Sequence, residues 1–289
     1  MAVPTEIAIF DRAQIARNRQ RAAARFSSHD FLFRRVVSDI SERLLDVRRN
    51  FPAVLQIGAR GGSAEILKAA KCSRLTTMDI APALLGQNDN GICADEENLP
   101  FAPQTFDLAV SALGLHAVND LPGALVQIRR VLVPDGLFIG ALFGGETLKE
   151  LRASLMQAEL NIRGGIGPRV APMADRLALA GLMQRAGFAL PVVDMDTVTV
   201  MYRDIFHLMS DLRGMGEANA VSAKQKTMTG RKMFLEAGRI YQEQFADTDG
   251  KIPATFEIIY LNGWSPHESQ QKPLARGSAK LSLTEALEC

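Results

Sequence analysis

Val54-Leu55-Gln56-Ile57-Gly58-Ala59-Arg60-Gly61-Gly62-Ser63 is an apolar run of strand length that ends in a glycine cluster, and residues 65–70 then read as helix. A strand, a tight turn and a helix start aim backbone N–H groups and a helix dipole at a negative or polar ligand group. Small residues in the turn let the main chain approach that ligand closely. Glycine after a strand also marks plain turns, so this segment alone does not fix a ligand. Leu75-Thr76-Thr77-Met78-Asp79 reads as a second short strand ending in an acid, and Asp79 falls 79 − 58 = 21 residues past the first glycine. An acid at an offset of ~20 is where a βαβ unit hydrogen-bonds ribose hydroxyls. The same side chain suits a helix N-cap before Ala81-Pro82-Ala83, and the two roles are compatible.

The rhythm continues downstream. Gly91-Ile92-Cys93-Ala94-Asp95 is a short strand, residues 106–111 are an apolar strand, and residues 121–132 are helical. Val133-Pro134-Asp135-Gly136 reads as a turn and residues 137–143 as another buried strand. Strands alternating with helices predict an α/β protein built on a doubly wound, mostly parallel sheet. Ligands of such sheets bind beyond the carboxyl ends of the strands, where Gly58, Asp79, Asp95 and Ser111 fall. Residues 147–160, 175–186, 204–212 and 224–245 read as helices, and 192–202 and 255–261 as strands. Helices inserted between the last two strands would cover the ligand edge as a lid, at about 203–246.

With 289 residues, 47% hydrophobic and 22% charged, the chain can bury a sizeable core. A net charge of +1 argues against bulk capture of nucleic acid, and no recognised reading motif accompanies the basic helices. Cys72, Cys93 and Cys289 are odd in number and lack zinc-type spacing, so neither a disulfide framework nor a structural zinc site is indicated. No apolar run reaches the ~18 residues of a membrane span, and the opening lacks a secretory signal plan. Residues 1–49 form a basic helical segment rich in arginine; its cations are expected on a solvated face, with Ile15, Phe26, Phe31, Phe33, Val36, Ile40 and Leu44 turned inward. A body at 50–264 and a polar, loosely ordered tail at 265–289 complete the expected organisation.

The succession Leu55-Gln56-Ile57-Gly58, Asp79, Ala94-Asp95-Glu96-Glu97-Asn98-Leu99-Pro100-Phe101, Phe106-Asp107-Leu108 and Leu132-Val133-Pro134-Asp135-Gly136 resembles the class I S-adenosyl-L-methionine (SAM) methyltransferases. That resemblance implies a Rossmann-like fold with SAM as cofactor. Gly58, Ala59, Arg60 and Gly62 would sit at the methionine moiety, Asp79 and Ile80 at the ribose, Asp95 and Glu96 at the adenine, and Ser111 on the adjoining strand end. A narrower match rests on Ile9-Phe10-Asp11-Arg12, Arg49-Asn50-Phe51-Pro52, Leu115-His116, Val118-Asn119-Asp120-Leu121-Pro122 and Phe143-Gly144-Gly145-Glu146-Thr147-Leu148. It continues in Asp211-Leu212-Arg213-Gly214-Met215-Gly216-Glu217-Ala218-Asn219, Gly263-Trp264, His267-Glu268-Ser269-Gln270 and Arg276-Gly277-Ser278-Ala279. These are similar to the methyltransferase-like assembly factors of respiratory complex I, relatives of the biotin-pathway BioC enzyme. The resemblance implies hydroxylation of an arginine on an iron–sulfur subunit, and, without a long leader, a bacterial member working in the cytoplasm. Ordinary methyl transfer to a protein or an acyl-carrier-bound acid, and a non-catalytic chaperone role, are the alternatives.

Two departures from the methyltransferase pattern stand in the turn: Gln56 replaces the usual acid and Arg60 the usual glycine. A cation there disfavours a sulfonium unless it pairs with an acid or swings to solvent, so SAM binding is expected to be weak, altered or lost. His116, after the fourth strand, is a candidate for proton handling, with a hydrogen-bonded structural role as the alternative. Glu146, with Glu217 second, is a candidate for gripping a guanidinium. Tyr260 with Trp264 could stack on one, or be a buried pair. No histidine–carboxylate pattern marks a metal site.

Overall fold

The structure is a computed structural model and describes residues 8–86, 90–224 and 230–271. Seven strands form one sheet: β1 (Ala53–Ile57), β2 (Arg74–Asp79), β3 (Gly91–Cys93), β4 (Phe106–Ala112), β5 (Leu132–Phe143), β6 (Ala189–Tyr202) and β7 (Ile252–Trp264), in the order β3-β2-β1-β4-β5-β7-β6. The first five are parallel, whereas β7 runs antiparallel to both β5 and β6. The order reverses beside β1, so the ends of β1 and β4 diverge there and open the crevice into which Gly58 and Gly114 project.

Alternation along the strands divides the core. Val54, Leu108, Val110, Ile139, Ala141, Ile258 and Tyr260 face one layer, which holds α2 (Phe31–Asp46), α3 (Ser63–Ala70), α5 (Lys149–Arg163) and α8 (Arg231–Phe245). Leu55, Ile57, Ala109, Phe138, Leu142, Ile259 and Leu261 face the other, which holds α4 (Leu121–Val131) and α6 (Arg176–Arg185). Period-two burial on both faces is what a sheet covered by helices requires. The remaining helices, α1 (Arg12–Ala22) and α7 (Ile205–Gly214), lie at the carboxyl edge of the strands. Asp11 caps α1, accepting from the Gln14 N–H, and Asp204 caps α7 by accepting from Phe206 and His207.

Several boundaries differ from the sequence reading. The turn at 133–136 is an excursion inside β5: pairing steps from Phe106 with Leu132 to Leu108 with Leu137, and Asp135 adopts φ +60°. The helix expected from Lys224 begins at Arg231, because Gly230 is extended (ψ 149°), and the Lys224 ammonium instead donates to the Asn219 carbonyl. The expected inward apolar face of residues 11–49 is present, but two of its arginines are not solvated: Arg19 is 2% exposed and Arg12 is half-buried. The tail beyond residue 271, with Arg276, Gly277, Ser278, Ala279 and Cys289, lies outside the described residues. Among the described residues no helix is long and apolar enough to cross a membrane.

Candidate functional site

The glycine turn is built for close approach. Gly58 has φ +83° and faces the Gly114 Cα at 3.7 Å from where its own Cβ would stand. Gly61 and Gly62 follow at φ +82° and +76°, a run of left-handed backbone that only glycine adopts without strain. Gln56 braces this turn from below: its amide N–H donates to the Gly61 carbonyl at 2.7 Å, and its oxygen accepts from the Ser63 hydroxyl at 2.7 Å. The residue that replaces the usual acid therefore holds the loop and presents nothing to a ligand.

Arg60 resolves its charge internally. Its guanidinium donates to the Glu217 carboxylate and to the Leu113 carbonyl, and lies over the Phe33 ring at 4.5 Å. Burial pushes its pKa down and nearby Arg19 adds to that, against the pull of Glu217 and Asp79. Pairing with an acid, one of the two escapes read from sequence, is the one adopted. Glu217 also accepts from the His116 Nε2 at 3.0 Å. Burial pushes the Glu217 carboxyl up, but His116 and Arg60 outweigh it and hold the group well below the ordinary carboxylate range.

The acids at the strand ends are gathered as expected, and their partners come from α1. The Arg19 guanidinium donates to Asp79 at 3.3 Å, to Glu96 at 2.5 Å and to the Gly114 carbonyl at 3.4 Å. Arg12 donates through Nε and Nη2 to Asp95 at 3.1 and 2.5 Å, reaches Glu96 as well, and gives its Nη1 to the Ala117 carbonyl at 2.9 Å. The remaining acceptor capacity goes to backbone: Asp79 takes the Ala81 N–H and Asp95 the Glu97 N–H. Burial pushes the Glu96 carboxyl up, yet Arg19 and Arg12 pull it from 4.5 down to about 2. A carboxyl held below its unfolded value stabilises the fold above pH 4.5 and loses that contribution as pH falls toward 2. Acid titration followed by circular dichroism should show unfolding within that window, shifted to higher pH in Arg12→Gln.

Beside this cluster lies a cavity of about 250 Å³. Phe143, Leu151, Leu155, Met209, Leu212 and Phe234 are part of its apolar lining, and His116, Arg213 and Glu217 are among its polar groups. The His116 ring is buried and packs on Phe143 at 4.8 Å; its Nδ1 has no partner among the described residues, nor has the Ser111 hydroxyl. In the neutral ring that donates Nε2–H to Glu217, Nδ1 carries the lone pair; in the charged ring both nitrogens donate.

The sequence-derived residues thus divide. Gly58, Ala59, Arg60, Gly62, Asp79, Asp95, Glu96, Ser111 and His116 converge at the strand ends, and Ile80 packs against the small cluster of Phe10, Ile15, Ala117 and Ala220. Glu146 is exposed and pairs with Lys149 at 3.3 Å, outside the cavity lining. Tyr260 carries a guanidinium, as its chemistry allows, but it is the chain's own Arg43 at 4.2 Å. Sequence reasoning missed Arg12 and Arg19. Their signal was phase: they stand seven apart, with Ile15, Asn18 and Ala22 on the same buried face of α1.

For SAM, the group the fold implies, this closed arrangement does not fit. Every carboxylate oxygen of Asp79, Asp95 and Glu96 already has a donor from the chain itself. Among the described residues no cluster of histidine, cysteine and acid side chains suits a metal ion.

Comparison with known proteins agrees with this architecture. A family described as "Methyltransferase domain" matches residues 55–140. The zebrafish (Danio rerio) mitochondrial arginine-hydroxylase NDUFAF5 is 43% identical over 286 residues, spanning 96% of this chain and 89% of that protein. The chain belongs to the NDUFAF5 family. The family's wider kinship includes the malonyl-[acyl-carrier protein] O-methyltransferase of Methylovorus sp., 32% identical across 89% of this chain and 90% of that one. The fold of the family is also that of the Haemonchus contortus phosphoethanolamine N-methyltransferase 2 crystallised with S-adenosylhomocysteine: TM-score 0.52, 12% identity, covering 89% of this chain and 60% of that one.

Proposed function

We propose that this protein modifies an arginine of a protein substrate, by hydroxylation, on an iron–sulfur subunit of respiratory complex I during its assembly, and works in the cytoplasm. The observation that carries this reading is the near full-length identity to a protein named arginine-hydroxylase, at 43% against 32% for the acyl-carrier methyltransferase. The cavity is consistent with it. Its apolar walls suit the methylene stem of an arginine, and the unpartnered His116 Nδ1 suits a guanidinium N–H. His116 would orient the guanidinium through that hydrogen bond, with Glu217 fixing the ring. The oxygen inserted into the C–H bond would come from dioxygen, its second atom leaving as water with two electrons from an external reductant. The row Asp79, Asp95 and Glu96 would hold the adenosine of SAM or a related nucleoside in an opened form of the cleft.

The test is co-expression with the candidate iron–sulfur subunit and mass spectrometry of its peptides. An arginine heavier by one oxygen, and unshifted with His116→Ala, is the expected result. A methyl gain with release of S-adenosylhomocysteine would instead favour ordinary methyl transfer. Capture of the subunit with neither change would leave a chaperone.

A further inference from the structure

We infer that α1 is a removable plug: Arg12 and Arg19 occupy the acid row in the resting chain, and a nucleoside ligand enters only when α1 leaves. This rests on the reading above that the row binds a nucleoside. Three observations carry it.

The first is occupancy. Asp79 gives one oxygen to the Ala81 N–H and the other to Arg19; Glu96 gives one to Arg19 and one to Arg12; Asp95 gives both to Arg12. A ribose diol donates to carboxylate oxygens, and each of these already accepts from a guanidinium or a backbone N–H, so diol and guanidinium compete for the same atoms. The second is the weakness of α1's apolar anchorage. Phe10 and Ile15 join only Ala117 and Ala220, with Ile80 and Ala171 beside them, in a cluster separate from the two that fill the sheet's faces. A helix fixed mainly by ion pairs and hydrogen bonds can detach without opening the core. The third is what holds its start. Phe10 bridges Val221, the Asp11 N–H donates to the Ala220 carbonyl, the Ser222 N–H to the Ile9 carbonyl, and the Asn18 amide to the Ala218 carbonyl. The start of the plug is thereby tied to the loop that carries Glu217, which also lines the cavity, so the plug leaves by breaking these ties and the cavity wall loses their support.

If the open form is a minor population, the measured dissociation constant is the intrinsic one divided by that population. Removing the plug's charges should therefore tighten binding, opposite to the loss expected if these arginines touched the ligand.

The experiment is calorimetric titration of S-adenosylhomocysteine into the full chain, as wild type and as Arg12→Gln/Arg19→Gln. The plug predicts at least tenfold tighter binding in the variant, and faster amide exchange over Arg12–Ala22 in the wild type when the ligand is added. Removing buried cations can destabilise the fold, so a lock serves as the second arm. Phe10 and Val221 form the non-hydrogen-bonded type of antiparallel pair, whose Cα atoms lie ~4.5 Å apart and suit a disulfide. Phe10→Cys/Val221→Cys, made with Cys72, Cys93 and Cys289 changed to serine, should not bind S-adenosylhomocysteine when oxidised and should regain binding on reduction. Unchanged or weaker binding in the arginine variant, or equal binding by oxidised and reduced lock, overturns the plug and leaves the nucleoside reading standing. Binding by no form overturns the nucleoside reading and the plug with it.

Discussion

Replacing Glu217 with alanine is expected to lower the midpoint of thermal unfolding by on the order of 10 °C. Arg60 is 2% exposed, and Glu217 is the one carboxylate recorded in an ion pair with it among the described residues. Taking that partner away leaves a buried guanidinium with the Leu113 carbonyl, the face of Phe33 and the more distant charge of Asp79, which is already paired with Arg19. Breaking a buried pair by removing one member costs about 3–5 kcal/mol. At roughly 2–4 °C per kcal/mol for a chain of this size class, a shift on the order of 10 °C follows. The comparison that isolates the cause is the double change Arg60→Leu/Glu217→Ala, which removes both charges. Calorimetry should place it well above Glu217→Ala alone, and a double variant no more stable than the single one would mean that the charge is not the source of the loss.

Gly62→Ala is expected to destabilise the fold by about 2–5 kcal/mol in urea titration. The left-handed backbone at φ +76° costs an alanine about 1–2 kcal/mol. The new Cβ would also stand 2.5 Å from a methyl of Val37, a buried, stiff side chain of α2, and overpacking of this kind costs about 1–3 kcal/mol. Repeating the change in a Val37→Ala background removes the two methyls but keeps the Cβ at 3.0 Å, so the increment should shrink toward the backbone cost of about 1–2 kcal/mol. The same increment in both backgrounds would show that the contact with α2 is not what fixes the turn.

Both sites show why the fold was legible and the site only partly so. The buried parallel strands β1 and β4 announce themselves as apolar runs, because a strand covered on both faces has no polar register to disguise it. The excursion at 133–136 was visible as a turn but not as part of a strand, since its partners on β4 are set by tertiary pairing. The start of α8 was hidden because Gly230 reads equally as a helix interior residue or as the extended residue that opens one. For the site, residue type marked where carboxylates and His116 would gather. It did not say who would answer them: a long cation on an amphipathic helix points to solvent unless an acid lies opposite. The acids opposite Arg12 come from a stretch 83 and 84 residues further along. The same distance concealed the pairing of Arg60 with Glu217, 157 residues apart.

Those separations also order events during synthesis. The first helix leaves the ribosome long before anything it binds exists: the Arg12 contacts lie 83 and 84 residues downstream, and the carbonyl that receives Asn18 lies 200 residues downstream. Its arginines are bare cations until Asp79, Asp95 and Glu96 have been made, and the tie to Ala218 waits until late in synthesis. Weakening these long-range contacts is expected to speed unfolding and leave the folding rate nearly unchanged, which stopped-flow measurement of both rates checks.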